Sequence, residues 1–459
     1  MVAPYLLTLA DFVAHTRLAD LPDDVVARGR LILADTIGCI VAGNAEPPIR
    51  ALRSMEQARA APGATMLATV LGTETRLPPE AAAFVNGAAS AWHDLDEGNL
   101  HTRGHAMIQL LPAALAEAEA HDRSGADLLE AAILAYEAAS RLWRATRVRL
   151  AVHPHGTFGP LATAFALARL RGDSPAATAE AVSIAATLGV TSSRQTLVDG
   201  ATVRNIYTAH SARAGYLALD LRDAGFSGEH DPVQSVFGGI YGDAFDPDVA
   251  LAGLGQVWWI RKNYFKRFAS ARYLHGALDA IEALQARLGP RLNADSVERI
   301  DVDTYFMAAT MGGQTIRSAF GARFSIPIAI AGLLLFGIAE PDDDGSTLFA
   351  DPRVHALARR IFVTENPALT AAYPAHQPAV VTVRLTDGSV ATERVDIILG
   401  ESDNPFAPTV LRDKFRALTR AAWDNAQAWD RLLRIDAEPS IAQLTADWRA
   451  AVRAQKGSP

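Results

Sequence analysis

ADLLEAAILAYEAASRLW, residues 126–143, places apolar side chains at Leu128, Leu129, Ala132, Ile133 and Tyr136. They share one face of a 3.6-residue period, so the stretch predicts a helix that must bury that face. The same alanine- and leucine-rich texture runs from about residue 5 to 225, which predicts several helices packed on one another. Asp23 in LPDDVVARGRLILADTIG and Ser174 in GDSPAATAEAVSIAATLG stand where helix caps are expected, with Pro175 at a first-turn position.

After about residue 265 the period changes. VERIDVDTY (297–305) and AVVTVRLTDGSVATERVDIIL (379–399) alternate as strands do, and Asp387-Gly388 between β-branched segments predicts a hairpin. From about 405, PFAPTVLRDKFRALTRAAW returns to helical spacing. The expectation is a mainly α protein: a large all-helical domain from residues 1–265 plus 405–459, with a smaller α+β domain, 266–404, inserted between them.

A chain of 459 residues with 49% hydrophobic content can bury a large core. Its net charge of −8, with basic residues scattered, offers no field for phosphates, so no nucleic-acid partner is expected. Cys39 is the single cysteine and lies in the apolar run DTIGCIVAG, which suits a reduced thiol and a reducing compartment. The N-terminus lacks the basic start of a secretory signal. The longest uncharged apolar run, Phe324 to Ala339, holds one proline and two glycines and is shorter than the roughly 18–20 residues of a spanning helix. The expectation is a cytoplasmic protein with no membrane partner.

AWHDLDEGNLHTRGHAMIQLLPAA (91–114) crowds Asp94, Asp96 and Glu97 against His93, His101 and His105 before an apolar run. It reads as a polar loop and cap, as a metal site if His101 and His105 share a helical turn, or as acid–base machinery at a cleft. Gly98 and Gly104 speak against the helix, so no metal is expected. VHPHGTFGPLATAFALARL (152–170) repeats the design: His153 and His155 flank a proline, and an apolar helix follows whose N-terminus favours anions. In WWIRKNYFKRFASARYLHGALDA, Arg261, Lys262, Lys266, Arg267 and Arg272 alternate with aromatic residues that prefer burial, and His275 opens a helix. Such a run is commonly a solvated face; with its aromatic residues buried, some cations must enter a cleft and can clamp an anionic substrate. No phosphate-binding, dinucleotide, CxxC or GxSxG motif occurs.

Several segments in order resemble the MmgE/PrpD family, which includes 2-methylcitrate dehydratase, cis-aconitate decarboxylase and iminodisuccinate epimerase. They are LPDDVV…LADTIGCIVAG, AWHDLDEGNLHTRGH, HPHGTFG, GATVRN…ARAGYLALDLRDAGFSG, YFKRFASARYLHGALDA, ARFSIP and GESDNPFAPTVLRDKF. The resemblance implies a helical domain with an inserted lid and a homodimer. It also implies catalysis without metal or organic cofactor on small di- and tricarboxylates, at a site between the domains. Position by position, it marks Asp94, His105, His153 and Lys266 as catalytic. The chain departs from the family pattern in three places: Ala106 follows His105 where proline is usual, Arg204 replaces a lysine, and Ile328 replaces a tyrosine. Arginine keeps the charge but not the capacity for proton transfer.

Residues and resemblance converge on proton abstraction next to a carboxylate. Lys266, Arg204 and Arg272 are expected to hold the substrate, helped by His101 and His155; His105 or His153 moves the proton and Asp94 orients a histidine or acts as partner acid. Dehydration is the first expectation, epimerisation or decarboxylation the alternative within the family. A carboxylate-binding protein without catalysis and a metalloenzyme are the rival classes.

Overall fold

The computed structural model describes residues 2–337, 345–423 and 425–456. Ile338 and Ala339 of the apolar run, and the last residues of the helical tail, lie outside the described residues.

Helices dominate the protein, as its periodicity implied. Residues 126–143 lie in the Gly125–Arg144 helix, where Leu128, Leu129, Ala132, Ile133 and Tyr136 are all buried. One apolar core gathers residues from Ala3 to Phe265 together with Leu411 to Val452. The Pro79–Ser90 helix sits at its centre, against the Asp23–Asn44, Met107–Ala120 and Ile206–Asp223 helices. The Pro408–Thr419 helix returns to pack on Asp23–Asn44, burying Leu411 and Phe415. Ser174 accepts from the Ala177 N–H as an N-cap, with Pro175 following. Asp23 is not a cap: Pro22 holds that position, and Asp23 and Asp24 fill the first turn, where carboxylates favour the helix dipole.

A second core takes residues from Phe268 to Leu385, joined by Leu197 from the earlier chain. Its four-stranded sheet runs Val390–Val395, Ala379–Leu385, Val297–Thr304, Ile361–Glu365; the first two pairings are antiparallel and the last is parallel. Ala379, Val381, Val383 and Leu385 alternate inward, and the Arg272–Leu288 helix covers their face. The expected hairpin forms at Asp387-Gly388, where Gly388 takes φ +84°, and Arg384 pairs with Val390. No described helix is long and apolar enough to cross a membrane.

The central helix needs its glycine. A Cβ on Gly87 would stand 2.8 Å from the Cα of Ala209 in the facing helix. We expect Gly87→Ala to destabilise the fold by about 1–3 kcal/mol, although alanine is the better helix former. A fall in the urea midpoint at unchanged m-value is the check; equal or greater stability contradicts the close packing.

Candidate active site

Where the Pro79–Ser90 helix ends, residues 91–97 turn back with Asp94 at φ +52°, a conformation that aspartate tolerates better than most residues. Four cations from four parts of the chain hold the carbonyls of this turn. Arg204 donates to Ala91 O at 3.0 Å, Arg323 to His93 O at 3.0 Å, Lys266 to Asp94 O at 2.8 Å and Lys414 to Leu95 O at 2.7 Å. Gly98–Asn99 then pairs with Asn263–Tyr264, so close that a Cβ on Gly98 would meet the Tyr264 hydroxyl at 2.3 Å. The glycine that opposed a helix here serves this ladder.

A cavity of about 70 Å³ opens over the turn and is lined by Asp94, His105, His153, Arg204, Lys266 and Arg272 among others. Six residues chosen from sequence thus share one wall. Lys266 is buried, not solvated: Nζ lies 3.4 Å from Asp94 Oδ2 and 3.9 Å from Asp96 Oδ1. Arg204 Nη2 donates to Asp94 Oδ1 at 2.5 Å. A hollow of about 120 Å³ elsewhere is lined mainly by apolar side chains such as Phe268, Leu333 and Phe336, and holds no acid–base pair among its described residues.

The histidines differ in the proton each ring carries. His105 Nδ1 lies 2.6 Å from the Glu97 carbonyl and 2.8 Å from Asp96 Oδ2. Two acceptors around one nitrogen assign the hydrogen to Nδ1, which leaves Nε2 with its lone pair. His153 is the reverse: its Nδ1 accepts the His155 backbone N–H at 3.1 Å, so the neutral ring carries hydrogen on Nε2. Burial, reinforced by Arg204 and Arg194, holds His153 well below the usual histidine range. Burial would raise the Asp96 carboxyl, but Lys266 and His105 outweigh it and keep that group ionised.

His155 lies behind the wall, its ring 4.9 Å from that of His105 and 4.6 Å from that of His153, with both ring nitrogens lacking partners among the described residues. His101 is exposed, its ring 6.0 Å from that of Trp259, and does not line the cavity. Arg272 does, but its Nε and Nη2 bind Glu401 at 3.1 and 2.8 Å, Nη1 binds Leu399 O at 3.1 Å, and the guanidinium lies 4.7 Å from the Tyr264 ring. Arg261, Lys262 and Arg267 serve ion pairs with Asp24, Asp403 and Asp279. Ile328 is enclosed in the second core, while Tyr264, Tyr273 and Tyr373 supply the phenols of the wall.

Asp96, His105 and His155 bring donor atoms within 4.8 Å of one another, a set that could hold a metal ion. Electrostatics oppose it. Burial and the nearby Arg204 and Lys266 cations hold the His155 ring neutral, and a dication there would be repelled by those same two cations.

Sequence reading missed Arg194 and Gln377 in the wall, Arg323 and Lys414 on the turn, and Asp96 beside His105. Arg323 and Lys414 stand inside ARFSIP and LRDKF, so those motifs carried a signal. Arg194 and Gln377 lie in no motif.

Burial pushes the Glu97 carboxyl up to about 8, while its oxygens accept from the Met107 N–H and the Tyr136 hydroxyl, each at 3.2 Å. Because this lies above its ordinary value of 4.5, Glu97 favours the fold at low pH, and the contribution is lost as pH rises from there through about 8. Glu97→Gln lacks that slope. Its stability relative to wild type should rise from pH 5 to 8, by up to about 1.4 kcal/mol per pH unit, in urea melts; a constant difference contradicts the assignment. Lys414 Nζ also lies 2.6 Å from buried Asp35. Lys414→Met should cost about 3–5 kcal/mol by leaving that charge unpaired, and adding Asp35→Asn should recover much of it. Additive losses in the double-mutant cycle contradict the pairing.

The MmgE/PrpD N-terminal domain model matches residues 7–248, and the MmgE/PrpD C-terminal domain model matches residues 268–436. The chain is 26% identical to a cis-aconitate decarboxylase of Aspergillus terreus over 465 residues, covering 93% of this chain and 92% of the relative. It is 26% identical to the cis-aconitate decarboxylase of Homo sapiens over 456 residues, covering 93% and 90%. The mouse counterpart is 25% identical over 431 residues, covering 89% and 86%. With both halves matched in order, this chain belongs to the MmgE/PrpD family.

Proposed function

We propose that the protein is a cofactor-independent enzyme that abstracts a proton next to a carboxylate of a small di- or tricarboxylate, acting as a 2-methylcitrate dehydratase-like hydro-lyase. The observation that carries this reading is His105: with Nδ1 held by the Glu97 carbonyl and Asp96, Nε2 is left as a base in a cavity whose wall also holds Lys266 and Arg204. The difficulty of the step is the negative charge that develops on the substrate carboxylate. Lys266 and Arg204 are already placed to meet it, and burial strengthens their effect.

His105 Nε2 takes the α-proton. The C–H electron pair forms the double bond as the β C–O bond breaks. His153 Nε2–H hydrogen-bonds the departing oxygen, and the proton carried by His105 completes water. Asp94 orients the cations that it pairs with. In this reading residues 266–404 form a lid over a helical domain of residues 1–265 plus 405–459, and the enzyme works as a cytoplasmic homodimer. The activity for which the relatives are named favours decarboxylation as the second reading, in which the same cations stabilise the carbanion left by CO₂.

Purified protein should catalyse solvent-deuterium exchange or alkene formation with a citrate-like or malate-like acid. No exchange and no turnover across such a panel overturns the reading, and CO₂ release selects the second one. His105→Ala and Lys266→Met should each lower kcat by about 10²–10⁴ with unchanged circular dichroism; full activity in either removes that residue from the mechanism.

A further inference from the structure

Gln377 and Arg194 are among the polar groups of the cavity wall that the proposed mechanism does not use. Gln377 is buried, and neither Nε2 nor Oε1 has a partner among the described residues. Arg194 donates Nε to Val152 O at 3.2 Å and Nη1 to the Tyr273 hydroxyl at 2.9 Å. Its Nη2 donates to no described residue, and no described carboxylate pairs with it, whereas Arg204 is matched by Asp94 and Arg272 by Glu401. An unpaired buried amide is unfavourable by about 1–3 kcal/mol per group, so a wall that carries one is built for an occupant.

The donor set identifies the occupant. Arg194 Nη2 presents two N–H groups and an uncompensated positive charge, which calls for a carboxylate. Gln377 presents a donor beside an acceptor. A carboxylate satisfies Nε2 and leaves Oε1 unpaired; a hydroxyl both accepts from Nε2 and donates to Oε1.

We propose that Arg194 and Gln377 form a subsite that selects substrates ending in an α-hydroxycarboxylate, with the carboxylate on Arg194 and the hydroxyl, the group that departs, held by Gln377 beside His153. This rests on the proposed hydro-lyase reading and narrows it. The carbon bearing the hydroxyl lies at the Arg194 end, and the adjacent carbon that loses its proton lies at the Lys266 and Arg204 end. Gln377 determines specificity through the hydroxyl; Arg194 anchors the second carboxylate.

Calorimetric titration with malate and with succinate, which differ by one hydroxyl, tests the subsite without turnover. Wild type should bind malate at least about tenfold tighter. Gln377→Leu should abolish that preference while leaving succinate affinity within about twofold, and Arg194→Met should weaken both ligands about tenfold or more. Equal wild-type affinity for the two acids overturns the proposal whether or not the variants fold, as does an unchanged preference in Gln377→Leu. Either result leaves the general reading standing if deuterium exchange occurs. Failure of both binding and exchange removes that reading and the subsite with it.

Discussion

The structure depends on how one turn is held. Ala91, His93, Asp94 and Leu95 present carbonyl oxygens outside any helix or sheet, and four cationic side chains donate to them. A charged donor bonds a carbonyl more strongly than a neutral one, and inside the protein little solvent competes. The turn is therefore rigid, and Asp94 can persist at a positive φ. Because Arg204, Arg323, Lys266 and Lys414 come from separate stretches of chain, forming the turn requires the whole fold. Preorganisation at the site and global topology are one constraint here.

Burying so many charges is tolerable only through mutual compensation. Asp94 faces Arg204 and Lys266, and Asp35 faces Lys414. Among the described residues no cation contacts Glu97, which is pushed up toward neutrality by burial. The outcome is a wall whose charges are mostly matched, while Arg204 Nε, Asp94 Oδ2 and both amide atoms of Gln377 lack hydrogen-bond partners among the described residues, and no described carboxylate pairs with Arg194. Unmatched groups mark where a ligand contributes what the protein lacks.

Two histidine loops of similar design acquire opposite tautomers from their surroundings. In one, carbonyl and carboxylate oxygens crowd Nδ1; in the other, a backbone N–H points at it. The same residue type thereby becomes an acceptor at one position and a donor at the other. Spacing in sequence cannot distinguish them, because the deciding atoms belong to backbone that turns only in the folded chain.

By itself the sequence determined the elements and the inventory. Helical period predicted the 125–144 helix, alternation predicted the strands at 297–304 and within 379–395, and Asp387-Gly388 predicted the hairpin inside the latter, because local sterics and one buried face suffice for each. The order of the motifs also marked Asp94, His105, His153 and Lys266, which meet at one cavity. Tertiary structure alone decided the partners. It tied Arg272 to Glu401, left His101 exposed, drew Arg194 and Gln377 to the wall and sent Lys414 to Leu95. Those contacts join residues far apart in the chain, and their geometry follows from how two apolar cores pack rather than from any local pattern.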